Sequence, residues 1–553
     1  MKVLNGKGVS GGIAFGKLEL FNNDLCVILK TKVENTEEEL KRFENARNSA
    51  AKQLEELYER AVCEIGENDA MIFDIHKMML EDEDFLTAIR MNITKQKLNA
   101  ESAVAHAKDS FVEMFSNMED SYMKARASDV KDISERIIQL LTNKERNKIK
   151  SKGKVIIGAE DLAPSETVQL DKSKILAFVT EKGSMNSHTS ILARTMNIPA
   201  VIGATGIMNV ENDNLDVIVD GFSGEVFIDP DMEAVLKLKE KKLKSDEQKE
   251  LLEKLKGLDT VTKDGQEVLL YANINSVEDM PYVHSNDAMG VGLLRSEFVY
   301  LSRKTYPTED EQFMIYKNAA QKALGKRVII RTLDIGADKQ VDYFQMPKEE
   351  NPAMGVRAIR ICLSRPEIFK TQLRALFRAT VFGKVAIMFP MITSLWEIIK
   401  IKEICNEVKA ELKEEKIPFN ENTEIGIMIE TPAAVMICDK LAEEVDFFSV
   451  GTNDLLQYSF AVDRQNEAAA PFISEYRLVI LRMIKRIVEA SHNAGIWTGI
   501  CGELAGDLNL TEAFLALGVD ELSVSPGNIL KIKQKIIETD VSTIREKILK
   551  EIE

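Results

Sequence analysis

Of the five histidines in this 553-residue chain, one stands where it could do chemistry. His188 lies in Gly183-Ser184-Met185-Asn186-Ser187-His188-Thr189-Ser190-Ile191-Leu192-Ala193-Arg194, a polar, glycine-containing loop that runs into a predicted helix. Free backbone N–H groups and the positive dipole end at such a helix start favour an added phosphate. A neutral imidazole can attack phosphorus and hold the phosphoryl group as a phosphoramidate, which splits one transfer into two. His76, His106, His284 and His492 lie in unremarkable contexts. A second set of reactive types lies far downstream. Arg295 and Arg331 end apolar runs, with Arg357, Arg360 and Arg464 near them in sequence. Their planar forks match phosphate and carboxylate oxygens, which points to a small polyanion as substrate. Glu430 and Asp454 offer two oxygen ligands suited to Mg2+, which takes a few carboxylates and completes its shell with substrate oxygens and water. Cys501 ends another apolar run and is followed by Gly502, a setting in which a thiol could face a ligand. Each residue alone has a plainer reading as a salt bridge, a helix cap or a small buried hydrophobe, so the case rests on convergence.

Convergence requires elements that bring these positions together. Eight apolar β runs alternate with helical stretches in the last part of the chain: Val268–Ala272, Gly290–Leu294, Val328–Arg331, Val385–Phe389, Ile425–Ile429, Phe447–Val450, Trp497–Ile500 and Leu522–Val524. Eight β/α units over about 260 residues is the size and rhythm of a (β/α)8 TIM barrel. Asn273, Arg295 with Glu297, Arg331 with Asp334, Glu430, Asn453 with Asp454, and Cys501 with Glu503 follow directly on these runs, at the carboxyl-end face where barrel active sites form.

Upstream the texture differs. Residues 1–20 are glycine-rich and strand-like. From Thr36, which with Glu39 spells a capping box, apolar residues recur at helical steps (Leu40, Phe43, Ala46, Ala50, Leu54, Leu57) to about Asn143. Short β runs then return at Val155–Ile157, Ile175–Val179, Ala200–Ile202, Val217–Val219 and Val226–Ile228. The expected organisation is multidomain α/β: an α/β domain from 1–20 and 146–230, an all-helical insertion at 21–145, a Lys/Glu-rich linker helix at 231–260, and the barrel at 261–553.

The 72 Lys plus Arg against 89 Asp plus Glu leave a net charge of −17, which disfavours nucleic acid or an anionic membrane face as the main partner. With 45% hydrophobic residues every domain can bury a core, and disorder or a disulfide scaffold is excluded. Six scattered cysteines without a C-x-x-C pair read as reduced thiols. No apolar run approaches the ~18 residues of a membrane span, so a cytoplasmic protein is expected.

Three segments carry a specific resemblance. Ser187-His188-Thr189-Ser190-Ile191-Leu192-Ala193-Arg194, Gly292-Leu293-Leu294-Arg295-Ser296-Glu297-Phe298, and the run from Asp446 through Gly451-Thr452-Asn453-Asp454 to Tyr458 look like signatures of the phosphoenolpyruvate-utilising enzymes. Similar segments in the same order cover nearly the whole chain, and the arrangement resembles the Enzyme I branch of the bacterial phosphotransferase system. The resemblance implies that His188 is the phosphorylated residue of a phosphohistidine domain, with Thr167 a neighbouring hydroxyl. It implies that Arg295, Arg331, Asn453, Asp454 and Arg464 bind phosphoenolpyruvate, that Glu430 and Asp454 hold Mg2+, and that Cys501 is the proton donor to the enolate. It also implies that the helical insertion docks the carrier protein HPr, and that barrels pair in a homodimer. The chain departs from the family pattern at Ser184, Asn186 and Ala163, and its tail after Pro526 is short. Because the chain starts directly on the glycine-rich segment, the sugar branch is expected rather than a nitrogen branch with an added sensory domain.

The implied reaction moves the phosphoryl group of phosphoenolpyruvate to His188 and then to a histidine of HPr, releasing pyruvate. The competing readings are a phosphoenolpyruvate synthase or pyruvate phosphate dikinase, a lyase of the pyruvate-enolate type, and a non-catalytic regulatory relative. The dikinase class needs a nucleotide-binding domain, and the region before His188 is an acidic helical stretch without a glycine-rich phosphate loop. A lyase leaves His188 without a task. A regulatory relative has no need of the nucleophile, arginines, carboxylates and thiol together.

Overall fold

The computed structural model describes the chain outside residues 22–30, 66, 117–120, 143–150, 152, 163–165, 167–169, 184–187, 197, 302, 304, 337–340, 347–348, 464–465, 474–475 and 553. It forms two compact units, Met1–Gln248 and Lys249–Glu553.

In the first unit the glycine-rich start makes β1 (Lys2–Asn5), β2 (Lys7–Ser10) and β3 (Ile13–Phe21). They join β4 (Val155–Ala159), β5 (Ile175–Thr180), β6 (Ala200–Ile202), β7 (Asp216–Asp220) and β8 (Glu225–Ile228) in one sheet of order β1-β8-β7-β3-β4-β5-β6-β2. β3 is the seam, parallel to β4 and antiparallel to β7, so strands from either side of the intervening helical stretch share one set of ladders. The early glycines serve close backbone approach: a Cβ on Gly8 would meet the Gly221 carbonyl oxygen at 2.1 Å, and one on Gly224 that of Gly6 at 2.4 Å. Alternation along the strands buries both sheet faces. Leu18, Ile156, Val179 and Val219 lie in one core, and Ile157, Phe178 and Ala200 in the other.

Between β3 and β4 run α1 (Thr36–Ile65), α2 (Glu67–Leu80), α3 (Glu83–Thr94), α4 (Ala100–Ser116) and α5 (Ser121–Thr142). The helical-step residues Phe43, Ala46, Ala50, Leu54 and Leu57 line their shared core with Phe73, Ile89 and Ile137. The start of α1 differs from the expected Thr36/Glu39 box. Asn35 caps it instead, accepting from the Glu38 N–H at 3.2 Å while its own amide donates to the Glu38 carboxylate at 3.2 Å. Asn is as good an N-cap as Thr. Glu39 is drawn away to Arg42, and it accepts the Ala100 N–H at the start of α4 at 3.2 Å. Two further helices matter for function: α6 (His188–Met196), seated on the sheet by Leu192 and Ala193, and the long polar α7 (Met232–Glu253). Leu238 on α7 packs against Ile13 and Ile218, and Lys241 pairs with the buried Asp220.

The second unit is the closed parallel barrel that the eight β runs predict. Its strands are β9 (Leu269–Ile274), β10 (Val291–Arg295), β11 (Arg327–Arg331), β12 (Lys384–Phe389), β13 (Ile425–Ile429), β14 (Phe447–Val450), β15 (Trp497–Ile500) and β16 (Glu521–Val524), with β16 closing on β9. Each boundary lies within two residues of the apolar run read from sequence. The main core fills the space between barrel and helices, and a smaller set that includes Leu293, Ile329, Met388, Met428, Phe447 and Cys501 fills the inside. This filled interior leaves the mouth, not the bore, for chemistry. Among the described residues no helix is long and apolar enough to cross a membrane.

Candidate active site

Parallel strands point their carboxyl ends the same way, so side chains distant in sequence meet at one rim. Arg295 and Arg331 end β10 and β11 and are register partners. Glu430 follows β13, Cys501 follows β15, and Asn453 and Asp454 lie in the first turn of the helix Thr452–Phe460 that follows β14.

The rim is wired by alternating charge. The Arg331 guanidinium binds Glu297 and, at 3.0 Å, Asp334. The other Asp334 oxygen accepts from Arg357 at 2.9 Å, and Arg357 reaches on to Asp454 at 3.5 Å and to the Tyr458 hydroxyl at 3.2 Å. All five charged groups of this Glu297–Arg331–Asp334–Arg357–Asp454 chain are buried. Burial opposes the charge on both guanidinium groups, but the facing carboxylates outweigh it and hold them protonated more firmly than in water. Arg295, partly exposed, donates to the Asn275 side chain at 2.7 Å. Arg357 was visible in the sequence as a nearby arginine, whereas the roles of Tyr458 and Asn275 were not. Neither has a distinguishing spacing, and only the fold brings them to the rim.

Glu430 is fully enclosed, and its carboxyl is pushed up to about 8 by burial and by the charges of Asp454 and Asp334, with Arg331 offsetting part of the rise. One of its oxygens accepts the Met391 N–H at 2.6 Å, and Met391 holds a left-handed backbone (φ 61°) that aims this donor. The other lies against Gly451, where a Cβ would stand 2.6 Å from it. Among the described residues no group of three or more His, Cys, Asp and Glu side chains is arranged to hold a metal. The protein offers carboxylates in a small number, facing one another, and a cation between them would relieve their repulsion. That donor set fits Mg2+.

Asn453 and Glu503 lock the β14 and β15 loops together: the Asn453 amide donates to the Glu503 carboxylate at 3.1 Å and accepts the Glu503 N–H at 2.9 Å. Cys501 is buried, its thiol donating to the Val450 carbonyl at 3.7 Å. Burial, with help from Glu521 and Glu430, pushes the thiol up to about 12, so it carries its proton at neutral pH. Of the remaining sequence candidates, Arg464 and Thr167 lie outside the described residues, as do Ser184, Asn186 and Ala163. His188 is the first residue of α6, and its side chain likewise lies outside the description.

Fold and rim define a (β/α)8-barrel protein with a buried, alternately charged mouth. Three family models match the chain: the N-terminal domain of PEP-utilising enzymes over residues 5–126, their mobile domain over 151–224, and their PEP-binding domain over 249–541. The "Phosphoenolpyruvate-protein phosphotransferase" of Listeria innocua is 43% identical, covering 98% of this chain and 95% of the relative. Proteins of the same name from Priestia megaterium (42%, covering 97% and 94%) and Bacillus subtilis (41%, covering 99% and 97%) are similar to it as well. The chain belongs to the PEP-utilising enzyme family, in its phosphoenolpyruvate-protein phosphotransferase branch.

Proposed function

We propose that the protein transfers the phosphoryl group of phosphoenolpyruvate to His188 and from there to a histidine of HPr, with release of pyruvate. Similarity to the phosphotransferases along almost the entire chain, together with the charged barrel mouth, supports this reading. Arg295, Arg331 and Arg464 bind the phosphate and carboxylate oxygens of the substrate, and Asn453 adds a neutral donor. The ion-paired chain from Glu297 to Asp454 holds Arg331 in position before substrate arrives, which is electrostatic preorganisation. Glu430 and Asp454 would hold Mg2+, which when bound neutralises charge on the substrate oxygens.

The His188 imidazole attacks phosphorus, the bond to the enol oxygen breaks, and the enolate is left in the barrel. Cys501, protonated at neutral pH, gives its proton to the enolate carbon and makes pyruvate. Phosphorylated His188 then meets HPr on the α1–α5 module. Because His188 and the barrel belong to different units, transfer requires the connection at 231–260 to permit a swivel. The same reading places the protein in the cytoplasm as a homodimer through its barrels, with the phosphohistidine domain at 1–20 and 146–230.

Incubation with phosphoenolpyruvate and Mg2+, followed by intact-mass measurement, tests it. One acid-labile phosphoryl group is expected, absent from His188→Ala. Pyruvate formation without modification at position 188 would refute the reading.

A further inference from the structure

The barrel interior holds a carboxyl that the reaction above does not use. Glu521 begins β16 and is fully buried, and neither of its oxygens makes a hydrogen bond of normal geometry to a described residue. Two bare positions make room for it. A Cβ on Gly499 would stand 1.9 Å from one Glu521 oxygen, and a Cβ on Gly292 would stand 2.5 Å from the other. Gly499 is the register partner of Glu521 on one side and of Ser449 on the other. Glu521 and Ser449 therefore face each other across a strand position with no side chain.

Cys501 lies two residues past Gly499, on the same inward face. Its thiol lies near Ser449 and feels the Glu521 carboxyl. The Ser449 hydroxyl, like both Glu521 oxygens, is buried without a hydrogen-bond partner among the described residues, so it is free to turn between them. On the far side, Ser523 donates to Asn273 at 2.6 Å, and the Asn273 amide donates at 2.9 Å to the carbonyl oxygens of Cys501 and Ser523. That frame fixes the Cys501 backbone relative to β16.

We propose that Glu521 is the proton reserve behind Cys501, returning a proton to the thiolate through the Ser449 hydroxyl after each enolate is protonated. This rests on the assignment of Cys501 as proton donor in the reaction proposed above. The balance is simple. Donation to the enolate carbon leaves a thiolate. Ser449 gives its hydroxyl proton to sulfur and takes the carboxyl proton of Glu521, so the thiol is restored and a carboxylate remains. A proton taken up from solvent at the partly exposed Arg327 edge of the barrel then restores the Glu521 carboxyl.

The surroundings suit each step. Burial pushes the Glu521 carboxyl well above the usual carboxylate range, and the Arg327 charge and Ser523 offset only part of this, so a proton is present to give. The groups facing it are Arg327 from β11, Tyr271 from β9, Cys501 just after β15 and its neighbour Asp520. Arg327 is the one cation among these, and it is partly exposed where it pairs with Glu424 at 2.9 Å, so the transient carboxylate lies between a counter-charge and the solvent edge. Glu521 acts through Cys501 and never touches substrate, so it is a positioning residue for the proton.

The test is rapid-mixing measurement of pyruvate release by the full-length protein with excess phosphoenolpyruvate, Mg2+ and HPr. Glu521→Gln should release the first pyruvate per site at the wild-type rate, because Cys501 starts protonated. Later turnovers should be slower by about tenfold or more, the scale of a lost proton-transfer group. Ser449→Ala should give the same burst, and Glu521→Asp should recover part of the later rate. Unchanged later turnovers in Glu521→Gln or Ser449→Ala, or a first turnover slowed as much as the rest, would overturn the proposal. Cys501→Ala separates the two levels: a normal first turnover in that variant removes the donor role itself, whereas a slow one with unaltered Glu521→Gln and Ser449→Ala removes only the relay.

Discussion

At the scale of single residues, the mouth shows why charge in a barrel rim is costly to remove piecemeal. Arg331 is enclosed between Glu297 and Asp334, and neither carboxylate can turn to water when the guanidinium goes. Breaking a buried pair by deleting one partner typically costs about 3–5 kcal/mol, because the surviving charge stays desolvated. Arg331→Met should therefore destabilise the barrel by about that amount in chemical denaturation and also abolish His188 phosphorylation. One terminal nitrogen of Arg331 meets both carboxylates; Arg331→Lys keeps a charge there but loses the planar guanidinium and its second arm, so its stability loss should be smaller while phosphorylation stays severely reduced. A variant as stable and active as the parent would show that the rim is not preorganised by this pairing.

At the scale of elements, a local capping signal decides the structure where nothing tertiary competes. Thr308 caps the helix Glu309–Lys322 in a full capping box with Glu311, and the pair lies on the surface, so the local rule decides. Thr308→Ala should cost about 1 kcal/mol in the barrel unfolding transition. Arg303 and the Thr308 N–H and hydroxyl hold the Glu311 carboxyl down at about 2. A depressed carboxyl stabilises above its unfolded value of 4.5, and the contribution is lost as pH falls from there through about 2. The stability difference between the parent and Glu311→Gln should therefore shrink over that acid range and stay constant above it, as denaturation at stepped pH would show. The start of α1 behaves otherwise. Thr36 and Glu39 spell the same box, but Glu39 is engaged by Arg42 and the first N–H of α4, and Asn35 takes over the cap. A contact between helices about sixty positions apart outcompetes a contact three positions away.

At the scale of the whole molecule, two compact units are joined through α7, which is polar around most of its circumference. Such a helix gains little from packing, so its continuity depends on its own hydrogen bonds. Gln248→Pro should cost about 3 kcal/mol of helix stability without touching either core. The expected outcome is slower phosphorylation of His188 from phosphoenolpyruvate, with unchanged exchange of pyruvate methyl hydrogens in deuterated water, which on the role proposed for Cys501 needs only groups of the barrel. Loss of both activities would show that α7 supports the barrel itself rather than the passage between units.

The barrel was legible in the sequence because its evidence is additive. Eight apolar runs, each flanked by helical periodicity, allow few other closures, and the polar residue after each run must then lie at the same end. Hence Arg295, Arg331, Glu430, Asp454 and Cys501 could be named before any coordinates. What the tertiary structure alone decided is which of these groups touch. The Asp334–Arg357 bridge spans the long connection between β11 and β12, the Met391 donor reaches Glu430 from the loop after β12, and Glu521 is enclosed from β16, across separations that leave no periodic trace in the chain. Periodicity reports which face a side chain occupies, since burial of apolar area repeats along a strand or helix. Partner choice among buried charges is set by distances of a few ångströms between strands, and those exist only once the barrel has closed.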